Sequence, residues 1–259
     1  MKNSKIEWTH HTVNLWWGCT KVHAGCDNCY AETLSKRYGN DVWGNDVPRM
    51  VIKSAFKELE KIKNIAERSG GIHRVFVGSM MDIFEKTMPL VYKDGSPSDM
   101  TTGLLREALF ILISKNYFPN LMFLFLTKRP SNINKYIPDS WKENPPDNVM
   151  FGCSPCDQKT FNQLVPQLLE VKGKRFLSIE PQLETVSIRS MLTKPDMIHW
   201  IIQGGESGGN KRPFNSIWAY SMREQCKNLG IPYFFKQIDK VQEIPSDLMI
   251  REFPNFMDY

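Results

Sequence analysis

Leu121-Met-Phe-Leu-Phe-Leu-Thr-Lys-Arg129 sets six apolar residues in a row and follows them at once with a hydroxyl and two cations. Six residues are far too few for a membrane span, and they suit a strand buried on both faces, as in a parallel sheet covered by helices. The polar end then has a place, because parallel (β/α) barrels do their chemistry at the C-terminal ends of their strands. Leu121–Thr127 is therefore expected to be a strand that delivers Lys128 and Arg129 to a rim.

Outward from this run the pattern repeats. Strands are expected at Thr12–Trp17, Arg74–Met80, Val149–Ser154, Arg175–Glu180, His199–Gly204 and Pro232–Gln237, and nearly all lead into small or polar residues. These include Gly18-Cys19, Ser79 and Asp82, Ser154 and Asp157, Glu180, Glu206, and finally Lys236 with Gln237. Ile52–Arg68, Thr102–Lys115, Lys159–Val171 and Ser216–Leu229 carry apolar residues at helical spacing and are long enough to cross over between parallel strands. The expected fold class is α/β, a single domain over residues 1–259. Its architecture is an incomplete TIM-like (β/α) barrel of about six or seven mostly parallel strands. Surface insertions are expected near 93–98 and 138–147, where Pro, Gly and Ser gather, and the segment after Gln237 is expected to wrap the outside.

Apolar residues make up 41% of the chain and charged residues 24%, which excludes disordered and fibrous classes. The net charge of +5 favours a polyanionic partner without identifying one. MKNSKIEWTH has no apolar stretch behind its lysines, so a cytoplasmic location away from membranes is expected. Six cysteines are too few for a disulfide scaffold, and three of them lie within eleven residues.

Cys19-Thr-Lys-Val-His-Ala-Gly-Cys26-Asp-Asn-Cys29 puts three thiols on a short loop between an expected strand and an expected helix. Closely spaced cysteines of this kind hold iron–sulfur clusters, and three of them leave one iron of a cubane open to another ligand. Zinc is the competing reading, with His23, His10 or His11 as a fourth ligand. Spacing alone leaves both open. Cys153 and Cys156 form a second Cys-x-x-Cys, either a redox pair or a rim turn. Cys226 reads as a buried apolar residue of a helix.

Several further stretches accompany this loop: Asn14-Leu-Trp-Trp-Gly-Cys19, Gly25-Cys-Asp-Asn-Cys-Tyr-Ala-Glu32, Val77-Gly-Ser-Met-Met-Asp-Ile-Phe84, Leu126-Thr-Lys-Arg-Pro130, Leu177-Ser-Ile-Glu-Pro181, Gly204-Gly-Glu-Ser-Gly208, Lys211-Arg-Pro213 and Phe234-Phe-Lys-Gln237. Together they resemble the phage-associated three-cysteine proteins of unknown function that are regarded as divergent members of the radical S-adenosylmethionine superfamily. The resemblance implies that Cys19, Cys26 and Cys29 ligate a [4Fe–4S] cluster whose open iron chelates S-adenosyl-L-methionine. One-electron reduction would then split the sulfonium into methionine and a 5′-deoxyadenosyl radical, with the cofactors carrying the chemistry.

By the same resemblance Ser79 and Asp82 would hold the methionine amino group, Lys128 or Arg129 its carboxylate, and Ser154 and Glu180 the ribose hydroxyls. Glu206, Arg212 and Lys236 are the substrate-side candidates, Glu206 and Lys236 foremost. A low-potential donor such as flavodoxin or ferredoxin would supply the electron. A nucleic acid, a modified nucleotide or a DNA-hypermodification intermediate is the expected substrate class. The loop departs from the common superfamily pattern Cys-x₃-Cys-x₂-Cys: its first gap has six residues, and Asn28 stands where an aromatic residue usually precedes the last cysteine. The alternative is a non-catalytic nucleic-acid or protein-interaction module with structural zinc at the same loop.

Overall fold

The structure is a computed structural model that describes residues 4–257. Its strands are β1 (His11–Val13), β2 (Trp16–Trp17), β3 (Arg49–Val51), β4 (His73–Val77), β5 (Pro89–Val91), β6 (Pro97–Thr101), β7 (Leu121–Thr127), β8 (Val149–Cys153), β9 (Lys174–Ile179), β10 (Trp200–Gly204) and β11 (Tyr233–Gln237). Its α-helices are α1 (Tyr30–Arg37), α2 (Ala55–Ser69), α3 (Thr102–Ser114), α4 (Ile133–Tyr136), α5 (Asp139–Glu143), α6 (Gln158–Leu169) and α7 (Ser216–Leu229).

Seven strands pair in the order β1-β4-β7-β8-β9-β10-β11, every pair parallel, to give a curled half-barrel. The incomplete TIM-like barrel is thus the fold. Strand β7 sits inside this sheet, with Phe123 opposite Val75 on one side and Val149 on the other. Its residues alternate between two cores. Leu121, Phe123 and Phe125 join the outer layer, where Leu59, Phe110, Phe161 and Met222 of α2, α3, α6 and α7 pack. Met122 and Leu124 face an inner layer with Phe76, Met150, Phe176, Trp200 and Phe234. Burial of both faces explains why the run is apolar throughout.

Local signals place the crossover helices. Asp157 caps α6 by accepting from Thr160 N at 2.7 Å, in a capping box, and Thr101 caps α3. Asn215 opens α7 and Gly230, at φ 65°, closes it.

Four expectations are corrected or refined. Thr12–Trp17 is two strands in two sheets: the chain leaves the half-barrel at Asn14, whose amide group is bonded to Ser79 Oγ and to Met80 N. β2 enters a second sheet, β2-β3-β5-β6, that the sequence reading lacked, and residues 93–98 belong to its hairpin. Residues 138–147 do run over the surface but fold into α5, which buries Trp141 against Phe110 and satisfies the indole N–H on Ser114 Oγ at 2.8 Å. The segment after Gln237 does not merely wrap the outside. Phe235 N donates to Ile250 O and Glu252 N to Tyr233 O, so the segment covers the free edge of β11. Phe253, Phe256 and Met257 then join Ile6 and Trp8 in filling the concave side of the half-barrel.

Candidate functional site

The cysteine loop begins at Gly18, whose φ of 120° and contact with the Val42 carbonyl leave no room for a Cβ. Cys19 follows at the rim. The chain runs through His23, which accepts from Gly25 N at 3.1 Å, then makes a short 3-10 turn over Ala24–Cys26 and enters α1 directly after Cys29. All three cysteines are free thiols. Burial and then the nearby Asp82 carboxylate push the Cys19 thiol up to about 12, so as a bare thiol it is a poor nucleophile.

Side chains from the half-barrel fasten this loop at both ends. From the end of β7, Arg129 donates to Thr20 O at 2.5 Å, to Asp82 Oδ2 at 2.8 Å and to Cys19 Sγ at 3.7 Å. Burial opposes its charge, but Asp82, Cys19 and Glu85 more than offset that and raise its pKa. Behind it lies a buried ladder of alternating charge: Arg129 approaches Glu85 at 3.8 Å, and Glu85 pairs at 2.7 Å with Arg49, which is fully buried. Arg49 spends its remaining donors on Thr20 Oγ1 and on the carbonyls of Val42, Gly44 and Val47.

The second fastening comes from the end of β10. Gly205 is small because the Ile238 carbonyl and the Phe214 ring close in where a Cβ would sit. Next to it the Glu206 carboxylate, buried, accepts from Asn28 Nδ2 at 2.9 Å and from Arg212 N, Nε and Nη2. Burial alone would raise its pKa, yet the Arg212 and Asn28 bonds bring it below the ordinary carboxylate range. Arg212 also donates to Ala24 O at 2.9 Å. Glu206 thus holds the cysteine loop, and its hydrogen bonds differ from those of a free substrate-side acid.

Eleven of the side chains singled out in the sequence line one cavity, namely Cys19, Cys26, Cys29, Ser79, Asp82, Lys128, Arg129, Ser154, Glu180, Glu206 and Lys236, whereas Arg212 lies outside its lining. The cavity is open to solvent at its mouth. It lies at the C-terminal ends of the parallel strands, the face where such barrels place ligands. Asp82 is fully engaged, accepting from Thr127 Oγ1, Arg129, Lys128 N and Phe84 N. Ser79 Oγ accepts from Asn14, and Ser154 Oγ donates to Ser178 O and Glu180 O. Lys236 is ion-paired with Glu180. The Lys128 ammonium has no hydrogen bond or ion pair among the described residues.

Among the described residues no three His, Cys, Asp or Glu side chains are grouped to hold one metal ion. The histidines considered as a fourth zinc ligand lie elsewhere. His23 is outside the cavity lining, with Nδ1 3.6 Å from Cys156 Sγ, and His10 and His11 sit at the opposite end of the sheet beside His73. Cys153 and Cys156 are unbridged and buried, their thiols raised by that burial, and Cys226 is buried in α7. No described helix is long and apolar enough to cross a membrane.

A family model described as "Protein of unknown function (DUF5131)" matches residues 3–249. The chain belongs to this family. No curated protein and no solved structure matches it.

In this DUF5131 chain the sequence reading missed Arg49, Glu85, Asn14 and the tethering role of Asn28. Arg49 and Glu85 are 36 residues apart and Asn28 and Glu206 are 178 apart, so no local spacing marks either pair. Only Asn28 carried a signal, as an amide where an aromatic residue usually stands.

Proposed function

We propose that this protein is a radical S-adenosylmethionine enzyme with a [4Fe–4S] cluster on Cys19, Cys26 and Cys29. The observation that carries the reading is that three free thiols and the polar groups of six strand ends share one cavity. The donor set suits the group. A cubane takes its thiolates on different irons, so they need not meet at one point, whereas a single zinc ion needs them to. When bound, the cluster supplies the electron that cleaves the sulfonium and generates the 5′-deoxyadenosyl radical.

The chain's own residues divide the remaining work. Arg129 and Asp82 are committed to each other and to the loop, which leaves Lys128 as the cation for the methionine carboxylate. Ser79 keeps a proton and a lone pair for the amino end, and Ser154 keeps lone pairs that accept from ribose hydroxyls beside Glu180. Lys236 stands on the substrate side, held ready by Glu180. Glu206 and Arg212 keep the cysteine loop in place. A substrate would have to seat its reacting C–H bond in this cavity, and a nucleic acid or modified nucleotide is the first class to test, given the net charge of +5. A flavodoxin or ferredoxin supplies the electron.

The test is anaerobic reconstitution with iron and sulfide, followed by electron paramagnetic resonance and product analysis with dithionite and S-adenosylmethionine. A cubane signal perturbed by S-adenosylmethionine, with 5′-deoxyadenosine released by the wild type and not by Cys26→Ala, is expected. Tight zinc without iron uptake or cleavage would sink the reading in favour of a zinc-bearing interaction module.

A further inference from the structure

The rim of the cavity is polar and its depth is not. Ile6, Trp8, Phe76, Met80 and Leu126 contribute an apolar wall, and Trp8 is 2% exposed, its ring centroid 4.7 Å from that of Phe76 and 6.2 Å from that of Trp200. In this apolar setting the Trp8 indole N–H is buried and has no hydrogen-bond partner among the described residues. A buried donor without an acceptor destabilises a fold, and phenylalanine would fill an aromatic position without one. Trp8 lines the cavity, so an acceptor on a ligand seated against it would supply the missing partner. Trp16 is the contrast: its indole is also unpartnered, but it is sealed in the outer core, away from the cavity.

We propose that the Trp8 indole N–H is a ligand-recognition donor, and that the apolar depth of the cavity takes a nucleobase-type heterocycle. Such a ring combines apolar faces, which suit Phe76, Leu126 and Met80, with ring nitrogens or carbonyls at its edge that accept one hydrogen bond. A purely aliphatic or benzenoid group leaves the donor unmatched, and a charged group finds no counter-ion among Ile6, Trp8, Phe76, Met80 and Leu126. The base and the cations then divide recognition: the ring sits deep, and the anionic part of the ligand reaches Lys128 at the rim. Two molecules carry this chemistry, S-adenosylmethionine through its adenine and a nucleotide substrate through its base. The inference rests on the reading above for taking this cavity as the reaction site, but it does not require the cluster.

The experiment is calorimetric titration of the full-length protein, without added iron, using adenosine, thymidine 5′-monophosphate and ribose 5-phosphate as probes, on wild type, Trp8→Phe and Trp16→Phe. Binding of adenosine or the thymidine nucleotide that weakens at least tenfold in Trp8→Phe, holds in Trp16→Phe and is absent for ribose 5-phosphate supports the proposal. Adenosine alone assigns the ring site to the cofactor, and the thymidine nucleotide alone assigns it to a substrate base. Equal affinity in Trp8→Phe, or no binding of either base, overturns it. If Trp8→Phe fails to fold, the indole ¹⁵N–¹H resonance of Trp8 in the wild type, recognised by its contacts to the Phe76 ring, serves instead. A shift on adding either base supports the proposal, and an unmoved resonance overturns it. Iron uptake is scored separately, so a protein that binds bases through Trp8 and no cluster refutes the radical mechanism while leaving this assignment standing.

Discussion

Asn28 donates its side-chain amide to Oε2 of Glu206 at 2.9 Å and to the Asn210 carbonyl at 2.8 Å, fastening the gap between Cys26 and Cys29 to the loop after β10. Asn28→Ala removes both bonds and leaves Glu206 its Arg212 partner. The global cost is about 1 kcal/mol, since the site is half-exposed and the ion pair survives. The local effect is larger: amide exchange through residues 24–30 accelerates while β7 and β8 keep their protection. Unchanged exchange in the loop would show that something else orders it.

Arg129 touches both the Cys19 sulfur and the buried ladder behind it. On the proposed cluster reading, Arg129→Gln is expected to weaken iron retention after reconstitution by about 10–100-fold, as loss of outer contacts to metal ligands commonly does, with Arg129→Lys in between. Iron remaining after a timed chelator challenge measures it. Equal retention in all three proteins contradicts the role.

Arg49 and Glu85 form the deep end of that ladder, both almost wholly removed from solvent. Arg49→Met leaves the buried Glu85 charge only the more distant Arg129 and strips the Val42 and Val47 carbonyls of their Arg49 donor, and is expected to cost about 3–5 kcal/mol in urea unfolding. A loss under about 1 kcal/mol would mean that water reaches the pair.

Far from the cavity, His10 Nδ1 accepts from Arg74 N at 2.9 Å and His199 Nδ1 accepts from Arg175 N at 3.1 Å. A protonated imidazole has no lone pair for this. Burial, then Arg74, His73 and His11, lower His10 to about 4, and burial, then Arg175, lowers His199, which also faces Lys174, Asp196 and the Phe256 ring. Both folded values lie below the unfolded value near 6.5, so the unfolded chain binds more protons. Their stabilisation is complete above that value and is lost as pH falls below it, for His10 between about 6.5 and about 4. Melting temperatures recorded from pH 7.5 to 5 are expected to decline, and the decline should flatten in His10→Gln and His199→Gln. Parallel curves for all three proteins would remove the histidines from the account.

Legibility followed the range of the interactions. Leu121–Thr127 could be bounded to the residue because burial on both faces makes the run continuously apolar, and Ser216–Leu229 because Asn215 and Gly230 punctuate it. The small sheet escaped because β2, β3 and β5 have three residues or fewer, too short for a period, and prolines sit in β5 and β6. The rim residues were readable since strand ends present them to a common face. Their internal commitments were not: Asp82 is occupied by residues 45 to 47 positions away, and Glu206 by Asn28. Phe253, Phe256 and Met257 show no period at all, because they fill a space shaped by seven other segments.

That last arrangement also has an order in time. The seven strands pair in the sequence in which they are synthesised, so the sheet can zip together one neighbour after another as the chain emerges. Its trough lacks part of its filling until residues 250–257 have left the ribosome. Up to that moment the nascent chain shows water an oily furrow and a bare strand edge, the two surfaces a chaperone holds.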